Sequence, residues 1–281
     1  MGRDSVIGTL LVATVLCVAC ALVVSSTRVL LSERQEENKR LDRKKNILLA
    51  AGLIDEEAGR EKIDAIFAER VRPVLIDLDK GEVVPPSEVD YDTYDPREIL
   101  DDPEQSKEIT VEGPTPGVQR RERLAFIYEV NENETIDLYV LPIYGKGLWS
   151  TMWGFLAIDS DGRTLRGITF YEHGETPGLG GEIDNQGWQA QWASGEDPGS
   201  QKYAYDQEGN VAIRIVKGNA DPNSPNYQYQ IDGLSGATIT TRGLSTSIQY
   251  WLGPDGFGPY LKKVTGGETF EMAGIIFPST L

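Results

Sequence analysis

Near its N-terminus the chain has one continuous run of apolar residues. Val6 to Val24 contains no charged side chain, and as a helix it would be about 28 Å long, enough to cross the hydrocarbon core of a bilayer. A signal peptide would have a shorter apolar run, and neither Cys17 nor Cys20 has the small-residue, leucine-led context of a lipidation site. The pattern predicts one transmembrane helix that is retained.

Three polar or amphipathic segments follow this apolar run. Arg28 to Leu53 has apolar positions among charged ones and predicts a helix that stops at Gly52. Glu57 to Asp77 has apolar residues at helical spacing and predicts a second helix, broken at Pro73. Val83 to Pro116 is rich in Pro, Asp and Glu and predicts an acidic loop around the domain, with an acidic docking patch as the alternative.

From Arg123 onward the apolar residues alternate with a period of two, which is typical of strands. Turn-forming residues at 131–134 and 159–162 separate them. Helices are predicted near Trp188 to Trp192 and from the turn Ser235-Gly-Ala-Thr238 (SGAT) to about Trp251. The predicted strands are Leu124–Val130, Ile136–Leu141, Trp153–Ile158, Leu165–Phe170 and Val211–Val216.

This order of elements predicts an α+β protein, in which a single N-terminal transmembrane helix precedes an antiparallel-sheet domain with packed helices. We divide the chain into an N-terminal flank (1–5), a transmembrane helix (6–24), a helical and acidic-loop extension (25–120) and the sheet domain (121–281).

Composition narrows the possible functions. The formal net charge of −17 disfavours nucleic acid as a partner. Both cysteines lie in the apolar run, so residues 21–281 offer no thiol for an iron–sulfur cluster, a nucleophile or a disulfide. His173 is the only histidine, which excludes a polyhistidine metal site. We therefore predict no catalytic side chain and no metal site, and expect any redox chemistry to need an external cofactor.

Cys17 and Cys20 share one face of the predicted transmembrane helix. Packing against lipid or a neighbouring helix is favoured there over a functional thiol pair.

The segment Asp232 to Thr240, which reads DGLSGATIT, is a candidate attachment site. Thr238 follows the small turn Ser235-Gly236-Ala237 and begins an amphipathic helical pattern. A phosphate on this hydroxyl would meet the free N–H groups and the positive dipole end of the first helical turn. The small residues of the turn would let a bulky group approach the backbone. Alone, the SGAT core is a weak signal, because most such strings are ordinary turns or helix caps.

A second motif, His173 to Ile183, reads HGETPGLGGEI. Its three closely spaced glycines make a loop whose backbone can approach a flat ligand, and Glu175 and Thr176 offer polar groups at its mouth. A tight turn leading into the helix near Trp188 explains the loop equally well. The spacing matches neither the dinucleotide fingerprint nor the P-loop, so it does not indicate a freely bound NAD or ATP.

Together the two motifs resemble the FMN-binding domain family of electron-transport complex subunits. In that family the last threonine of a Ser/Thr-Gly-Ala-Thr motif carries FMN through a phosphoester bond, which a separate flavin transferase makes from FAD. Matched residue by residue, the resemblance implies covalent FMN on Thr238. The other residues it implies at the cofactor are Ser235, Gly236, Ala237, Glu175, Thr176, Leu179 and Gly180.

Two branches of this family share the motifs: the C subunit of the sodium-translocating NADH:quinone reductase and the G subunit of the Rnf ferredoxin:NAD complex. Leu41 to Leu53, Tyr144 to Gly154 and the overall layout resemble the first branch. The resemblance implies a subunit of a membrane complex that oxidises NADH, reduces ubiquinone and transports sodium. The chain would relay electrons between an iron–sulfur centre and another flavin on a neighbouring subunit, and would not be catalytic alone.

Other interpretations remain open at this stage. One is a membrane-anchored partner-binding module without redox chemistry, in which Thr238 would only cap a helix. A hydrolase is disfavoured, because the sequence offers no assembled nucleophile and base. His173 is favoured as a structural residue over a flavin contact. Trp149 and Trp153 are favoured as core or interface aromatics over stacking partners of a flavin.

The charges around the anchor conflict with the topology that the family implies. The resemblance implies an inner-membrane protein of a bacterial cell whose soluble domain is periplasmic, where the flavin transferase works. The positive-inside rule favours the opposite orientation, but long domains cross the membrane largely regardless of charge, so we expect the periplasmic one. Arg3 is the one positively charged residue before the anchor. The positively charged residues that follow it are Arg28, Arg34, Lys39, Arg40, Arg43, Lys44 and Lys45.

Overall fold

The computed structural model describes residues 6–89, 91, 94–110, 112–193 and 200–266. The chain divides into two compact units, residues 1–43 and residues 44–281. The first helix, α1, runs from Val6 to Ala50 without a break, so the predicted transmembrane segment and its charged extension are one helix. The predicted flank 1–5 lies outside the described residues, and the division at residues 24 and 120 stays a prediction.

The N-terminal part of α1 has the length and composition of a membrane span. Its segment Val6–Ser32 contains 27 residues, which at 1.5 Å per residue is about 40 Å of helix. Cys17 and Cys20 are free and exposed in this segment. These features are those of the single apolar N-terminal helix that the sequence predicts.

The C-terminal end of α1 has the hydrogen bonds of a Schellman motif. The N–H of Leu53 donates to the carbonyl of Leu48 at 2.9 Å, and the N–H of Gly52 donates to that of Leu49 at 3.0 Å. Gly52 has a φ of +69°, a conformation that costs little only for glycine. The predicted helix stop at this residue is confirmed.

The predicted helix Glu57–Asp77 is wrong in its second half. Helix α2 is Arg60–Arg70, and the chain continues as strand β1, Val71–Asp77. Pro73 is tolerated there because strand β2, Glu82–Val84, pairs only with Leu75 to Asp77. The N–H of Leu75, two residues further on, points away from β5 and donates to Tyr91 Oη at 3.2 Å. The Pro73 nitrogen faces the same side, where β1 has no strand beside it, so no ladder hydrogen bond is lost.

Four further strands of the second unit are β5 (Leu124–Glu132), β6 (Thr135–Lys146), β7 (Thr151–Asp159) and β8 (Leu165–Glu172). With β1 and β2 they form a six-stranded sheet with the order β2-β1-β5-β6-β7-β8, in which every neighbouring pair is antiparallel. The four strands predicted between residues 124 and 170 are present, which confirms the antiparallel sheet and the α+β class. The strands β1 and β2, which the sequence placed in the extension, belong to the same sheet.

The acidic segment predicted as a loop around the domain packs onto this sheet, and part of it forms a strand. It contains strand β3, Ser106–Glu108, which pairs with β4, Arg120–Glu122. The Arg97 guanidinium lies over the Trp153 ring at 3.9 Å and pairs with Glu172 at 2.8 Å. A cation held against an aromatic face and a carboxylate fixes this segment to the sheet.

Of the predicted strand Val211–Val216, only Arg214–Ile215 is a strand (β9), paired in parallel with β10, Gln230–Ile231. Short helical turns lie at α3, Gln186–Gln189, and at Ala190–Trp192, where the sequence predicts a helix.

Helix α4, Thr238–Leu252, packs against β6 and is followed by α5, Gly258–Thr265. The indole N–H of Trp251 donates to the carbonyl of Tyr144 at 2.7 Å. The helix backbone lies close to the strand backbone near the end of β6. An added Cβ on Gly243 would lie only 2.1 Å from the carbonyl oxygen of Lys146. This contact sets the position of the first turns of α4.

Candidate functional site

Thr238 is the first residue of α4 and is exposed to solvent. Gly236 in the preceding turn has a φ of +72°, and the N–H of Ala237 closes that turn on the carbonyl of Leu234 at 3.2 Å. The first N–H groups of a helix have no acceptor within the helix, and they carry the positive end of its dipole. The hydroxyl thus stands where a phosphate group would be stabilised.

The neighbouring threonine hydroxyls are engaged in the fold. Thr240 is 1% exposed and donates its hydroxyl to Glu175 Oε2 at 2.5 Å. Thr241 is also buried, and its hydroxyl accepts from the N–H of Leu234 at 3.2 Å. Ser235, like Thr238, is exposed, but it lies in the turn outside the helix. Between residues 235 and 241, Thr238 is therefore the one hydroxyl that is both accessible and on the first helical turn.

Glu175 is 5% exposed and accepts four hydrogen bonds. One is the bond from Thr240, and the other three come from backbone N–H groups of the β6–β7 connection: residue 148 at 3.1 Å, residue 149 at 2.8 Å and residue 150 at 3.3 Å. Burial alone would raise the pKa of this carboxyl, but the hydroxyl and the N–H donors together hold the pKa below its ordinary value. The buried carboxylate thus joins the glycine-rich loop, the β6–β7 connection and helix α4.

The glycine-rich loop lies beside the start of α4. Thr176 is exposed, and its carbonyl accepts from the N–H groups of Leu179 at 3.1 Å and Gly181 at 2.9 Å. The Leu179 side chain is exposed and lies against Gly236, where an added Cβ would be 2.9 Å from Leu179 Cδ2. Gly180 is buried below the loop. The structure therefore brings the two sequence motifs together into one site.

Exposed apolar side chains lie on the segments that Glu175 joins to the start of α4. Among the described residues after position 43, the large apolar side chains with high exposure are Val83, Leu148, Trp149, Leu179 and Ile239. All except Val83 belong to the loops and helix turn that Glu175 connects. Trp149 is 66% exposed, the highest of the group. We call these four side chains the apolar rim. Such a cluster on an otherwise polar surface is typical of a binding site.

A cavity of about 260 Å³ opens beside Thr238. Its lining includes the hydroxyl-bearing residues Thr238, Thr241 and Ser245 and the positively charged residues Lys217 and Arg242. Cations and hydroxyl donors next to a helix start suit an anionic ligand.

The remaining candidates have structural partners. His173 Nδ1 accepts from the N–H of Glu175 at 3.1 Å, so Nε2 carries the proton and donates to Asp184 at 2.7 Å. Trp153 stacks on Tyr144 with ring centroids 4.4 Å apart. These contacts agree with the structural roles favoured for His173 and Trp153, whereas Trp149 belongs to the apolar rim and not to the core.

Sequence reasoning missed the part that Thr240 and Gly147 play in the site. A Cβ on Gly147 would lie 2.5 Å from Glu175 Oε1, so this glycine admits the carboxylate to the β6–β7 connection. The sequence does not show their link to Glu175, because each acts through a carboxylate that is distant in the chain. Gly147 does lie in the segment GKGLWS, whose two glycines and serine are turn-forming.

Comparison with known proteins agrees with this site. The family model of the FMN-binding domain matches residues 147–253, which include both motifs and the β6–β7 connection. A crystal structure of Shewanella oneidensis NqrC superposes with a TM-score of 0.71 at 31% identity, covering 82% of this chain and 99% of that one.

Curated relatives match over almost the whole chain. The C subunit of the Na⁺-translocating NADH–quinone reductase of Yersinia pestis is 45% identical over 94% of this chain and 95% of its own length. The protein of the same name from Pseudomonas aeruginosa is 38% identical over 95% of this chain and 98% of its own. The chain therefore belongs to the family of C subunits of the Na⁺-translocating NADH–quinone reductase, an oxidoreductase complex, and it contains the FMN-binding domain of that family.

Proposed function

We propose that this chain is the electron-transfer subunit that carries FMN covalently on Thr238. The observation that carries the proposal is the contrast between this threonine and its neighbours: Thr238 is exposed at the start of α4, whereas Thr240 and Thr241 are buried and hydrogen-bonded. An enzyme that transfers a group to this segment can therefore reach one helical hydroxyl.

The residues around Thr238 fit FMN. The first turn of α4, with Lys217 and Arg242 beside it, favours the single negative charge of a phosphodiester by roughly 0.3–1 kcal/mol for the helix dipole alone. The apolar rim offers contact surface for a flat aromatic ring system. FMN would supply the ability to accept and pass on electrons, while the protein sets its position and surroundings. No side-chain acid or base is needed for that task.

Attachment of FMN requires an external flavin transferase, because a threonine hydroxyl is a poor nucleophile by itself. The transferase would use FAD as its substrate. A bond forms between the Thr238 oxygen and the phosphorus on the riboflavin side, the phosphoanhydride bond breaks, AMP leaves, and the hydroxyl proton is released. The products are the Thr238 phosphodiester and AMP.

Within the complex we propose that this protein relays electrons between an iron–sulfur centre and another flavin on a neighbouring subunit. The names of the relatives support a complex that takes electrons from NADH, delivers them to a quinone and translocates sodium. They also favour this branch of the family over the G subunit of the Rnf complex. The apolar run Val6–Val24 has no charged residue and could not form a sodium path alone, so ion transport belongs to partner subunits.

The test of covalent attachment is in-gel flavin fluorescence followed by peptide mapping. We expect full-length protein, made together with an active flavin transferase, to give a fluorescent band after denaturing electrophoresis. The mapped peptide should carry FMN on Thr238. A dark band, from cells in which a control substrate is flavinylated, would instead support the partner-binding module without redox chemistry.

The soluble domain is proposed to face the periplasm of a bacterial cell, with α1 crossing the inner membrane once. Since residues 21–281 contain no cysteine, a single introduced thiol can report the orientation. We expect Asn223→Cys, on an exposed turn, to react with a membrane-impermeant maleimide in spheroplasts, in a background where Cys17 and Cys20 are serine. The cysteine-free parent is the control, and labelling only after lysis would place the domain in the cytoplasm.

A further inference from the structure

The Glu175 carboxylate connects the segment that presents Thr238 to the rest of the site. Its Oε2 binds the Thr240 hydroxyl on α4, and its backbone N–H donors lie in the β6–β7 connection. Glu175 itself begins the glycine-rich loop. With four donors, its acceptor capacity is used within the protein, so this residue is placed to organise the site and not to contact a ligand.

We propose that Glu175 and Thr240 are a positioning pair for flavin attachment, holding the first turn of α4 so that Thr238 alone is presented to the transferase. The inference rests on the proposed function and deepens it. The pair acts in two ways. It fixes the start of α4 at a point two residues from Thr238. It also buries the Thr240 hydroxyl in a hydrogen bond with a carboxylate, so that this hydroxyl does not compete with that of Thr238.

The surrounding backbone is shaped to admit this pair. A Cβ on Gly180 would lie 2.6 Å from Thr240 Oγ1 and 2.8 Å from Glu175 Oε2, and one on Gly147 would lie 2.5 Å from Glu175 Oε1. Two glycines from different segments thus leave space for one buried hydrogen bond. A bond between a hydroxyl and a buried, charged carboxylate is stronger than a neutral one, and it has a defined geometry.

The test measures the initial rate of covalent flavin incorporation into purified full-length protein by an active transferase supplied with FAD. Thr240→Val keeps the shape of the side chain but removes the donor, and we expect the rate to fall about tenfold, since small misplacements of a reacting group have large kinetic effects. Thr240→Ser loses a methyl group but keeps the donor, and we expect it to stay within about threefold of the wild type. This rescue separates positioning by the hydrogen bond from a packing defect.

Two further variants complete the experiment. Glu175→Gln loses the charge and one acceptor oxygen, and we expect it to be at least as slow as Thr240→Val. Thr265→Val removes a hydroxyl that donates to the carbonyl of Leu261 in α5, and it should incorporate flavin at the wild-type rate. Cooperative thermal unfolding shows which variants are folded. Should Thr240→Val not fold, Glu175→Gln carries the same expectation.

The outcomes distinguish this inference from the proposed function. Wild-type rates, within about twofold, in folded Thr240→Val or Glu175→Gln would overturn the positioning pair while leaving flavin on Thr238. Equal losses in Thr240→Val and Thr240→Ser would also overturn it, because the donor would then not matter. A wild-type protein that acquires no flavin at all would overturn the proposed function and, with it, the pair.

Discussion

Replacing Thr238 with valine is expected to abolish covalent flavin completely. Valine preserves the branched shape at the first position of α4 but has no oxygen that could form the phosphoester. The side chain is exposed, so the change should leave the fold intact, in line with the small effects of most surface substitutions. The measurement is in-gel flavin fluorescence of wild type and variant made beside the same transferase, with the thermal unfolding midpoint recorded for both.

The control for this experiment is Thr265→Val, which removes a hydroxyl from α5 and should remain as fluorescent as the wild type. A fluorescent Thr238→Val band would contradict the assignment, and peptide mapping would then show whether the exposed Ser235 carries the flavin instead. Complete loss of fluorescence, in a protein that unfolds at the wild-type temperature, would establish the hydroxyl at position 238 as the attachment point.

Local sequence patterns were enough to predict the elements that present this threonine. The amphipathic period after the small SGAT turn predicted a helix, and α4 begins at Thr238. The four strands between residues 124 and 170 were predicted from their β-branched and aromatic residues and from the turn-forming residues at 131–134 and 159–162. Gly52 marked the end of α1 for an equally local reason, since its φ of +69° favours glycine.

Features that depend on distant contacts could not be predicted in this way. The predicted helix Glu57–Asp77 was continued past the break at Pro73, whereas Val71–Asp77 is a strand that pairs with β5 along its whole length. The burial of Glu175 was not predicted either. The sequence suggested a polar group at the mouth of a ligand site, but the carboxylate is buried against Thr240, which lies 65 residues further along the chain. Only the folded chain shows which hydrogen-bond donors reach this carboxylate.

Gly243→Ala is expected to destabilise the protein by about 3 kcal/mol, at the upper end of the usual cost of overpacking a core. At an unhindered position inside a helix, alanine would be favoured over glycine by up to about 1 kcal/mol. Gly243 is different because its added Cβ would lie 2.1 Å from the carbonyl oxygen of Lys146. That atom is backbone at the end of β6 and cannot move without separating α4 from the sheet.

Denaturant unfolding of the full-length chain in detergent would measure the change in the free energy of unfolding. Gly59→Ala is the matched control, because Gly59 precedes α2 with a φ of −76° and its added Cβ would meet nothing within 4 Å. A loss below about 1 kcal/mol is expected there. Equal stability of Gly243→Ala and the wild type would mean that α4 can shift away from β6 at little cost. Since Thr238 lies on the same helix, the contact at Gly243 would then not fix where the attachment site stands.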